Sequence, residues 1–333
     1  MTSIKPCPYC AKNGKNCPGI PLCKCQACLK LKKEGKLNVA DEAPSKERLI
    51  PQPNSFEEVI EQPAFDNAQR IPIESDLSRH QPLQADITSW LASSQAHGNA
   101  DKYGFYHNAI KYLAKPESEA EAGEKIVENE FVCNTIGQVL GLNMPMFGKS
   151  MDSNQKVFVQ QWFTTEKRHF IHLYRFLDPI LPYSMEVVNT AIKATSSRPN
   201  EDSLAFAKMI IFDCIIGNTD RHARNIGFIQ IDNSTRLSPV YDNISGILPD
   251  AKYNIKFSFK SKIVTQTSES PNVRDCIQEV KRLWPDQYKS IVELTKTKAD
   301  DIRQAVLNSD LRTNQKNTLV EQLKNVIEEM DHE

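Results

Sequence analysis

Two aspartates and one asparagine in the second half of the chain have the residue types and spacing that phosphoryl transfer requires. Asn225 follows Asp220 by five positions, and Asp242 follows Asp220 by 22 positions. In kinase-type transfer one carboxylate positions the accepting hydroxyl, an amide holds a metal ion, and a second carboxylate joins the metal to the phosphates. The D-x4-N spacing alone is common, so its weight depends on the elements that position these residues.

The surrounding sequence predicts a helix before this triplet and a hairpin within it. Residues 203–216 are apolar on nearly every side, which predicts a buried helix with Ser203 as its N-cap. Residues 226–231 alternate as in a strand, and turn residues follow at 232–234. Such a hairpin would bring both proposed metal ligands, Asn225 and Asp242, to its open end.

Other charged residues of this stretch also require interaction partners or roles. Asp213 lies on the predicted buried helix and would need a partner, for which Arg221 and His222 are the candidates. His222 lies two positions after Asp220, which favours a role in bracing the loop over a role as general base. Arg221 and Arg224 could pair with substrate phosphates or with acidic residues nearby.

A lysine and a glutamate closer to the N terminus are candidates for orienting nucleotide phosphates. Residues 108–116 predict a strand, and a lysine near the end of such a strand can lie against the α- and β-phosphates. Lys115 and Lys111 are the two choices. The next apolar-periodic segment predicts a helix that would supply the ion-pair partner, either Glu130 or Glu128.

Two further segments could contact a nucleotide. Residues 87–103 are rich in small residues, as in a phosphate-covering loop, although their single Gly98 does not make a G-x-G-x-x-G motif. Residues 156–163 predict a buried strand that leads to a hinge. The backbone groups expected at an adenine edge are those near Gln160, Gln161 and Trp162.

Six of the nine cysteines fall within residues 7–28 and predict a zinc module. Two C-x2-C knuckles each supply two thiolates, and together they complete a tetrahedron. A segment this short, with few large apolar residues, cannot fold on hydrophobic burial alone. A disulfide knot and an oxidisable disordered tail are the alternatives. The favoured ligands are Cys7, Cys10, Cys25 and Cys28, while Cys17 and Cys23 are either spare or part of a second site.

The length and composition of the chain set its size class, and its net charge conceals an asymmetry. The chain has 333 residues, 40% of them hydrophobic, which leaves room for two or three domains. Its net charge is −1, but residues 1–36 carry +7 and the remainder −8. The eight lysines of the first region could contact nucleic-acid phosphates. Since neither a signal peptide nor a membrane span is recognisable, the sequence predicts a cytoplasmic protein.

Composition predicts four regions along the chain. Residues 1–36 form the cysteine module, and residues 37–85, which are acidic and contain six prolines, form a linker. Residues 86–163 form a nucleotide-binding half and residues 164–333 a helical half with the catalytic loop. In the helical half we expect helical patterning over 165–181, 184–195, 274–284, 286–296, 298–308 and 313–331, and an extended segment over 255–262.

The stretch from Gly217 to Asp242 resembles the HipA-like serine/threonine kinases, the toxin kinases of bacterial toxin–antitoxin pairs. The resemblance lies in Gly217-Asn-Thr-Asp-Arg-His-x-x-Asn-Ile-Gly-Phe and in Pro239-Val-Tyr-Asp. Phosphatidylinositol 3- and 4-kinases have a similar Asp-Arg-His-x-x-Asn-Ile loop. The HipA-like resemblance implies Asp220 as the catalytic aspartate, and Asn225 and Asp242 as magnesium ligands.

The same resemblance selects among the nucleotide-side candidates. The Lys-Pro pair at Lys115 and the Asn-Glu pair at Glu130 are similar to the family pattern, which favours these two residues for the ion pair. The family's phosphate loop is rich in Ser, Gly and Gln, which implies nucleotide contacts for Ser94 and Gln95. A self-added phosphate on Ser93 or Ser94 would repel ATP.

Together these observations predict an α+β, bilobal protein-kinase-like fold over residues 86–333, with a helical C-lobe and a preceding Cys-rich zinc module. The expected activity is ATP- and magnesium-dependent phosphorylation of a Ser or Thr hydroxyl on a protein, with an antitoxin as a further partner. Three alternatives remain open. They are a lipid or small-molecule kinase with the same triplet, a pseudokinase that only binds, and a zinc-dependent regulator that binds nucleic acid.

Overall fold

The computed structural model describes residues 103–107, 110–117, 125–152, 155–164, 168–249 and 258–332. All of them belong to the unit Ile60–Glu333. The predicted cysteine module, the linker, and the phosphate-loop candidates Ser93, Ser94 and Gln95 lie outside these ranges. Predictions about those residues therefore remain predictions.

A four-stranded antiparallel sheet consists of β1 Tyr103–His107, β2 Ile110–Pro116, β3 Phe147–Asp152 and β4 Gln155–Gln161. The order of the strands is β1-β2-β4-β3. The pairing of β2 with β4 sets Lys115 opposite Phe158 and Leu113 opposite Gln160, so these four side chains share one face of the sheet. The strands predicted over 108–116 and 156–163 are confirmed, while β1 and β3 were not predicted.

The predicted helix after β2 is confirmed as α1, Ile126–Val139, which packs on β3 and β4. Its end is a Schellman motif, in which Leu142 N donates to Gly137 O and Gly141 N donates to Gln138 O, both at 3.0 Å. Gly141 has a φ of +69°, a conformation that favours glycine. The predicted stop at Gly141 is therefore correct.

A second antiparallel sheet has the order β5-β6-β7, with strands Arg168–His172, Gly227–Ile231 and Ser234–Leu237. The predicted hairpin is confirmed as β6 and β7. The helical patterning expected over 165–181 is wrong, because 168–172 form β5 and only the 3-10 turn Leu173–Arg175 follows. Pairing of β5 with β6 provides its backbone hydrogen bonds, and this tertiary contact outweighs the local pattern.

Two helices precede the catalytic loop. α2 spans Met185–Thr195 and is capped by Ser184, whose Oγ accepts a hydrogen bond from Val187 N. α3, Pro199–Ile216, is buried along most of its length, as predicted. The predicted N-cap Ser203 is wrong, because the helix begins at Pro199, which suits the first helical position. Ser203 Oγ instead donates to Asn189 Oδ1 and accepts from Trp284 Nε1.

The last four described helices lie close to the predicted bounds. They are α4 Val273–Leu283, α5 Pro285–Thr297, α6 Ala299–Leu307 and α7 Thr313–Asp331. α7 packs on α3 and α4 through the apolar stripe that the sequence indicates. Residues 258–262, the described part of the expected extended segment, form no strand. No helix in the described ranges is long and apolar enough to cross a membrane.

Candidate active site

The loop that carries Asp220 starts where α3 ends and stops where β6 begins. Gly217 ends the helix, and the side chain of Asn218 bridges helix and loop. Asn218 Nδ2 donates to Asp213 Oδ1 (3.1 Å), and its Oδ1 accepts from Asp220 N (2.9 Å). The Asp220 side chain is 61% exposed. The buried helix therefore presents this carboxylate to solvent at a fixed position.

Two glycines let this loop touch the segment that carries Asp242. Gly246 N donates to Gly217 O at 2.9 Å. A Cβ on Gly217 would lie 2.4 Å from the Ile247 side chain, and a Cβ on Gly246 would lie 2.2 Å from Thr219 Oγ1. Gly217 also has a φ of +66°. The close backbone approach thus requires glycine on both sides.

Arg221 joins the helix, the loop and the Asp242 segment. Its guanidinium is buried and donates to both oxygens of Asp213, at 2.8 and 2.9 Å. It also donates to Tyr241 O (2.8 Å) and to Asn243 Oδ1 (2.7 Å). Arg221, and not His222, is therefore the partner of Asp213. With only 1% of its surface exposed, Arg221 is not available to substrate phosphates, which corrects that alternative.

The charge of Asp213 also stabilises the protonated form of Arg221. Burial alone would lower the pKa of the guanidinium, because a low dielectric disfavours the charged form. The Asp213 charge and its hydrogen bonds more than offset this, so the pKa of Arg221 is raised. Arg221 therefore keeps its charge in this buried pair.

Asp242 has a left-handed backbone, with a φ of +56°, and both of its flanks are fixed. Asn243 Nδ2 donates to Asn134 Oδ1 on α1 at 3.2 Å. Ser245 is paired through its backbone N and O with the side-chain amide of Asn129, at 2.9 and 3.0 Å. Aspartate tolerates this conformation better than most residues. The segment is thus held by α1 on one side and by the catalytic loop on the other.

Lys115 connects α1 to this segment. Its Nζ donates to Glu130 Oε1 at 2.6 Å and to Asp242 Oδ1 at 2.8 Å. The predicted ion pair between Lys115 and Glu130 is confirmed. Burial alone would lower the pKa of Lys115, but the two carboxylates raise it above its ordinary value. The ammonium therefore stays charged between the two carboxylates.

The alternative partner, Glu128, is engaged elsewhere on α1. Its Oε2 accepts from Lys149 Nζ at 2.5 Å, and its Oε1 accepts from Asp310 N at 2.7 Å. Lys149 comes from β3 and Asp310 from the loop between α6 and α7. Glu128 therefore ties α1 to its neighbours, while Glu130 faces the site.

Asn225 lies at the end of the loop and is buried. Its Nδ2 donates to Asp220 O at 3.2 Å, and its backbone N donates to His222 O at 2.8 Å. The amide oxygen, which is the atom a magnesium ion would bind, is thereby oriented away from the Asp220 carbonyl. Within the described ranges, no three His, Cys, Asp or Glu side chains cluster as they would around a metal ion. The two predicted magnesium ligands are instead one amide, Asn225, and one carboxylate, Asp242.

Among the described residues, two side chains lie beside the Asp220 carboxylate. His222 Nε2 lies 3.9 Å from Asp220 Oδ2, and His222 Nδ1 accepts from Arg224 N at 3.2 Å. His222 thus bonds within its own loop, which fits the expected bracing role. The second is Lys262, whose Nζ donates to Asp220 Oδ1. Sequence reasoning missed Lys262, because it lies 42 positions later in a loop without a motif.

The predicted hinge lies at the end of β4. Gln161 N donates to Met146 O at 2.7 Å, and Trp162 N donates to Lys111 O at 2.9 Å, so both groups are used within the sheet. Gln160 is buried on the face that also carries Lys115, and its Oε1 has no hydrogen-bond partner among the described residues. Trp162 is buried and stacks on Phe163, with 5.9 Å between ring centroids. A base bound here would have to use other backbone groups.

Solved structures of two kinases are similar in fold. The Helicobacter pylori proinflammatory kinase CtkA has a TM-score of 0.55 and 17% sequence identity, over 70% of this chain and 94% of that chain. HipA from the Shewanella oneidensis MR-1 toxin–antitoxin system, solved with HipB and its operator DNA, has a TM-score of 0.51 and 13% identity. That match covers 78% of this chain and 74% of the HipA chain.

Two sequence comparisons agree with this fold. "Putative kinase Y4mE" of Sinorhizobium fredii is 30% identical over 56 residues, which is 17% of this chain and 13% of that protein's length. The family model of the HipA-like C-terminal domain matches residues 94–313. This match includes Lys115, Glu130, Asp220, Asn225 and Asp242. Since it spans about two thirds of the sequence, the chain belongs to the HipA-like C-terminal domain family.

Proposed function

We propose that this protein is a kinase that uses ATP and Mg²⁺ to phosphorylate a Ser or Thr hydroxyl on a protein. The observation that supports this most is the position of Lys115, bonded to Glu130 on the helix and to Asp242 beside the catalytic loop. In protein kinases a strand lysine paired with a helix glutamate must be in place together with a metal-binding aspartate. The same three residue types meet here from three different elements.

The residues fit a nucleotide and its magnesium ion. The Asp242 side chain is 39% exposed, and its Oδ1 accepts a hydrogen bond from Lys115 Nζ. A carboxylate offers about four acceptor sites on two oxygens, so the ammonium and a cation can share it. Asn225 and Asp242 would hold the metal, and Lys115 would orient the phosphates. Bound magnesium supplies positive charge against the negative charge of the transferring phosphoryl group.

Asp220 would orient the acceptor hydroxyl and accept its proton. Its carboxylate is exposed at the end of a loop that Asn218 and Arg221 fix to α3, so a macromolecule can approach it while its position is maintained. Such a group must lie within hydrogen-bond reach of the proton it takes. Catalysis then consists of positioning and charge neutralisation.

A protein acceptor is preferred over a lipid or small molecule. The lipid-kinase alternative rested on the Asp-Arg-His loop, but Arg221 is buried in structural contacts and His222 bonds within the loop. Since Arg221 is buried and the Nδ1 of His222 is used within the loop, that motif does not favour a lipid headgroup. Because the HipA neighbour was solved with HipB and operator DNA, we also propose an antitoxin partner of the HipB type.

Incubation with γ-labelled ATP, Mg²⁺ and a lysate tests the proposal. We expect label on Ser or Thr of a protein with the wild-type chain and none with Asp220→Asn. Phosphoamino-acid analysis distinguishes Ser and Thr from other acceptors. Label in the lipid fraction would favour a lipid kinase. Nucleotide binding without any transfer would favour a pseudokinase.

A further inference from the structure

The catalytic loop has two arginines between Asp220 and Asn225, but neither is directed at the Asp220 carboxylate. Arg221 is buried, and its guanidinium is used by Asp213, Asn243 and Tyr241 O. The Arg224 guanidinium lies over the Tyr174 ring, 5.8 Å from its centroid. The loop itself therefore provides no lysine or arginine where a phosphoryl group would be transferred.

Lys262 reaches Asp220 from a different segment, and its backbone is well fixed. Ser261 Oγ accepts from Ile263 N and donates to Ile263 O, at 3.1 and 3.0 Å. Ile263 is fully buried, and Val264 N donates to Tyr183 O just before α2. Ser261 N also donates to Pro271 O at 2.8 Å. A tight turn thus holds Lys262 with its ammonium on Asp220 Oδ1.

Stability does not account for this ion pair. The side chains of Lys262 and Asp220 are 52% and 61% exposed, and pairs of exposed charges contribute little to folding. Forming the pair also restricts a long, flexible side chain. The contact instead places a positive charge beside the group that would orient the acceptor.

We propose that Lys262 is a catalytic residue whose ammonium binds the oxygens of the transferring phosphoryl group. This inference rests on the proposed kinase function. During transfer the acceptor oxygen forms a bond to the γ-phosphorus, and the bond from that phosphorus to the β–γ bridging oxygen breaks. The electron pair leaves with the nucleoside diphosphate, and the hydroxyl proton passes to Asp220. Lys262 keeps its proton and neutralises charge on the equatorial oxygens.

Lys262 would then have two alternative partners, Asp220 Oδ1 and the phosphoryl oxygens. With Lys262 on the phosphoryl oxygens, Asp220 Oδ1 becomes available to the acceptor hydroxyl. One side-chain movement therefore prepares both the cation and the base. A γ-phosphate would drive it, whereas a nucleoside diphosphate would not.

Lys262→Met tests this, with Lys260→Met as the matched control from the same exposed loop. Calorimetry with Mg-ATP and with Mg-ADP measures whether the γ-phosphate contact is lost. We expect Lys262→Met to weaken Mg-ATP binding about tenfold while leaving Mg-ADP binding unchanged, since a hydrogen bond to a charged group is worth about that factor. Turnover should fall about 100-fold, as when one transition-state donor is removed. Lys262→Arg should recover part of both losses.

The outcomes separate this inference from the proposed function. If Lys262→Met keeps the ATP-to-ADP affinity ratio and the turnover of the wild type, the role of Lys262 is rejected. If Asp220→Asn is inactive in the same assay, the kinase function still stands. If the wild-type chain neither transfers phosphate nor distinguishes Mg-ATP from Mg-ADP, both proposals fail. Equal losses in Lys260→Met would indicate a general charge effect and would also overturn the inference.

Discussion

Asp242 combines a left-handed backbone with a carboxylate that Lys115 contacts. These two properties can be separated by two substitutions. Asp242→Asn keeps a residue that tolerates positive φ, whereas Asp242→Ala also adds backbone strain of about 1 kcal/mol. Both should abolish phosphoryl transfer and weaken Mg-ATP binding, because both remove the proposed metal-binding charge.

Calorimetry, activity and thermal unfolding together check this. We expect Asp242→Asn to melt close to the wild type and Asp242→Ala to melt somewhat lower. Unchanged activity of Asp242→Ala would reject the assignment of the triplet.

Asp220→Asn should separate chemistry from nucleotide binding. Asp220 is expected to act on the acceptor hydroxyl, so nucleotide affinity should stay within a few-fold while turnover drops by orders of magnitude. The comparison is His222→Ala, which should lower turnover less than Asp220→Asn does, because the histidine bonds within its own loop. Steady-state kinetics and calorimetry measure both. A larger loss for His222→Ala would show that the base is misassigned.

Arg221 should matter for stability and for activity in separable ways. Arg221→Met leaves Asp213 charged and unpaired in the interior, which should cost about 3–5 kcal/mol of unfolding free energy. Adding Asp213→Asn removes that charge and should recover part of the loss. Neither variant should be active, because Tyr241 O and Asn243 lose the donor that holds the Asp242 segment. Urea unfolding measures the loss of unfolding free energy. Full activity of the double variant would contradict the expected loss of activity.

At the scale of elements, the helices and strands that have a clear local pattern in the sequence were predicted well. The closing helices have one-sided apolar stripes, and the β6–β7 hairpin has alternation and a turn, so both were placed to within a few residues. The strands β1 and β3 were missed, although each pairs with the next strand along the chain. The strand β5 was missed because its partner, β6, is distant in sequence and completes its hydrogen bonding. Lys262 and the Asn129–Ser245 contact were missed for the same reason. Each depends on which loops meet, and no local pattern records that.

α1 is the element on which the site depends most, because it contacts the Asp242 segment directly. Asn129→Ala would leave the buried N and O of Ser245 without their side-chain partner. We expect a loss of about 1–3 kcal/mol in unfolding free energy, together with weaker Mg-ATP binding. Thr135→Ala on the same helix is the control, since its hydroxyl donates to Phe131 O within the helix. Equal effects of the two substitutions would show that the helix, and not this contact, is being measured.

At the scale of the whole molecule, thiol reactivity tests the predicted zinc module. Cys133, Cys214 and Cys276 are fully buried, and burial raises the pKa of the first two thiols well above the ordinary value. Thiols that label rapidly in the native protein must therefore come from residues 7–28. If these bind zinc, labelling should be slow until a chelator is added, and elemental analysis should find about one zinc per chain.

Deletion of residues 1–36 supplies the control for this test. The zinc should be lost, while the melting temperature should not change if residues 37–85 act as a linker. Protein without zinc, whose six cysteines stay unreactive even after chelation, would indicate three disulfides and reject the metal site.

The two sets of contacts that build the site differ greatly in how far apart their residues lie along the chain. Arg221 finds its side-chain partners within 22 positions, whereas Lys115 and Asp242 are 127 positions apart. Closing a longer loop costs more entropy, so contacts of this kind tend to form later in folding. The contacts of Arg221 can thus form within one short stretch of chain before the contact between Lys115 and Asp242 closes.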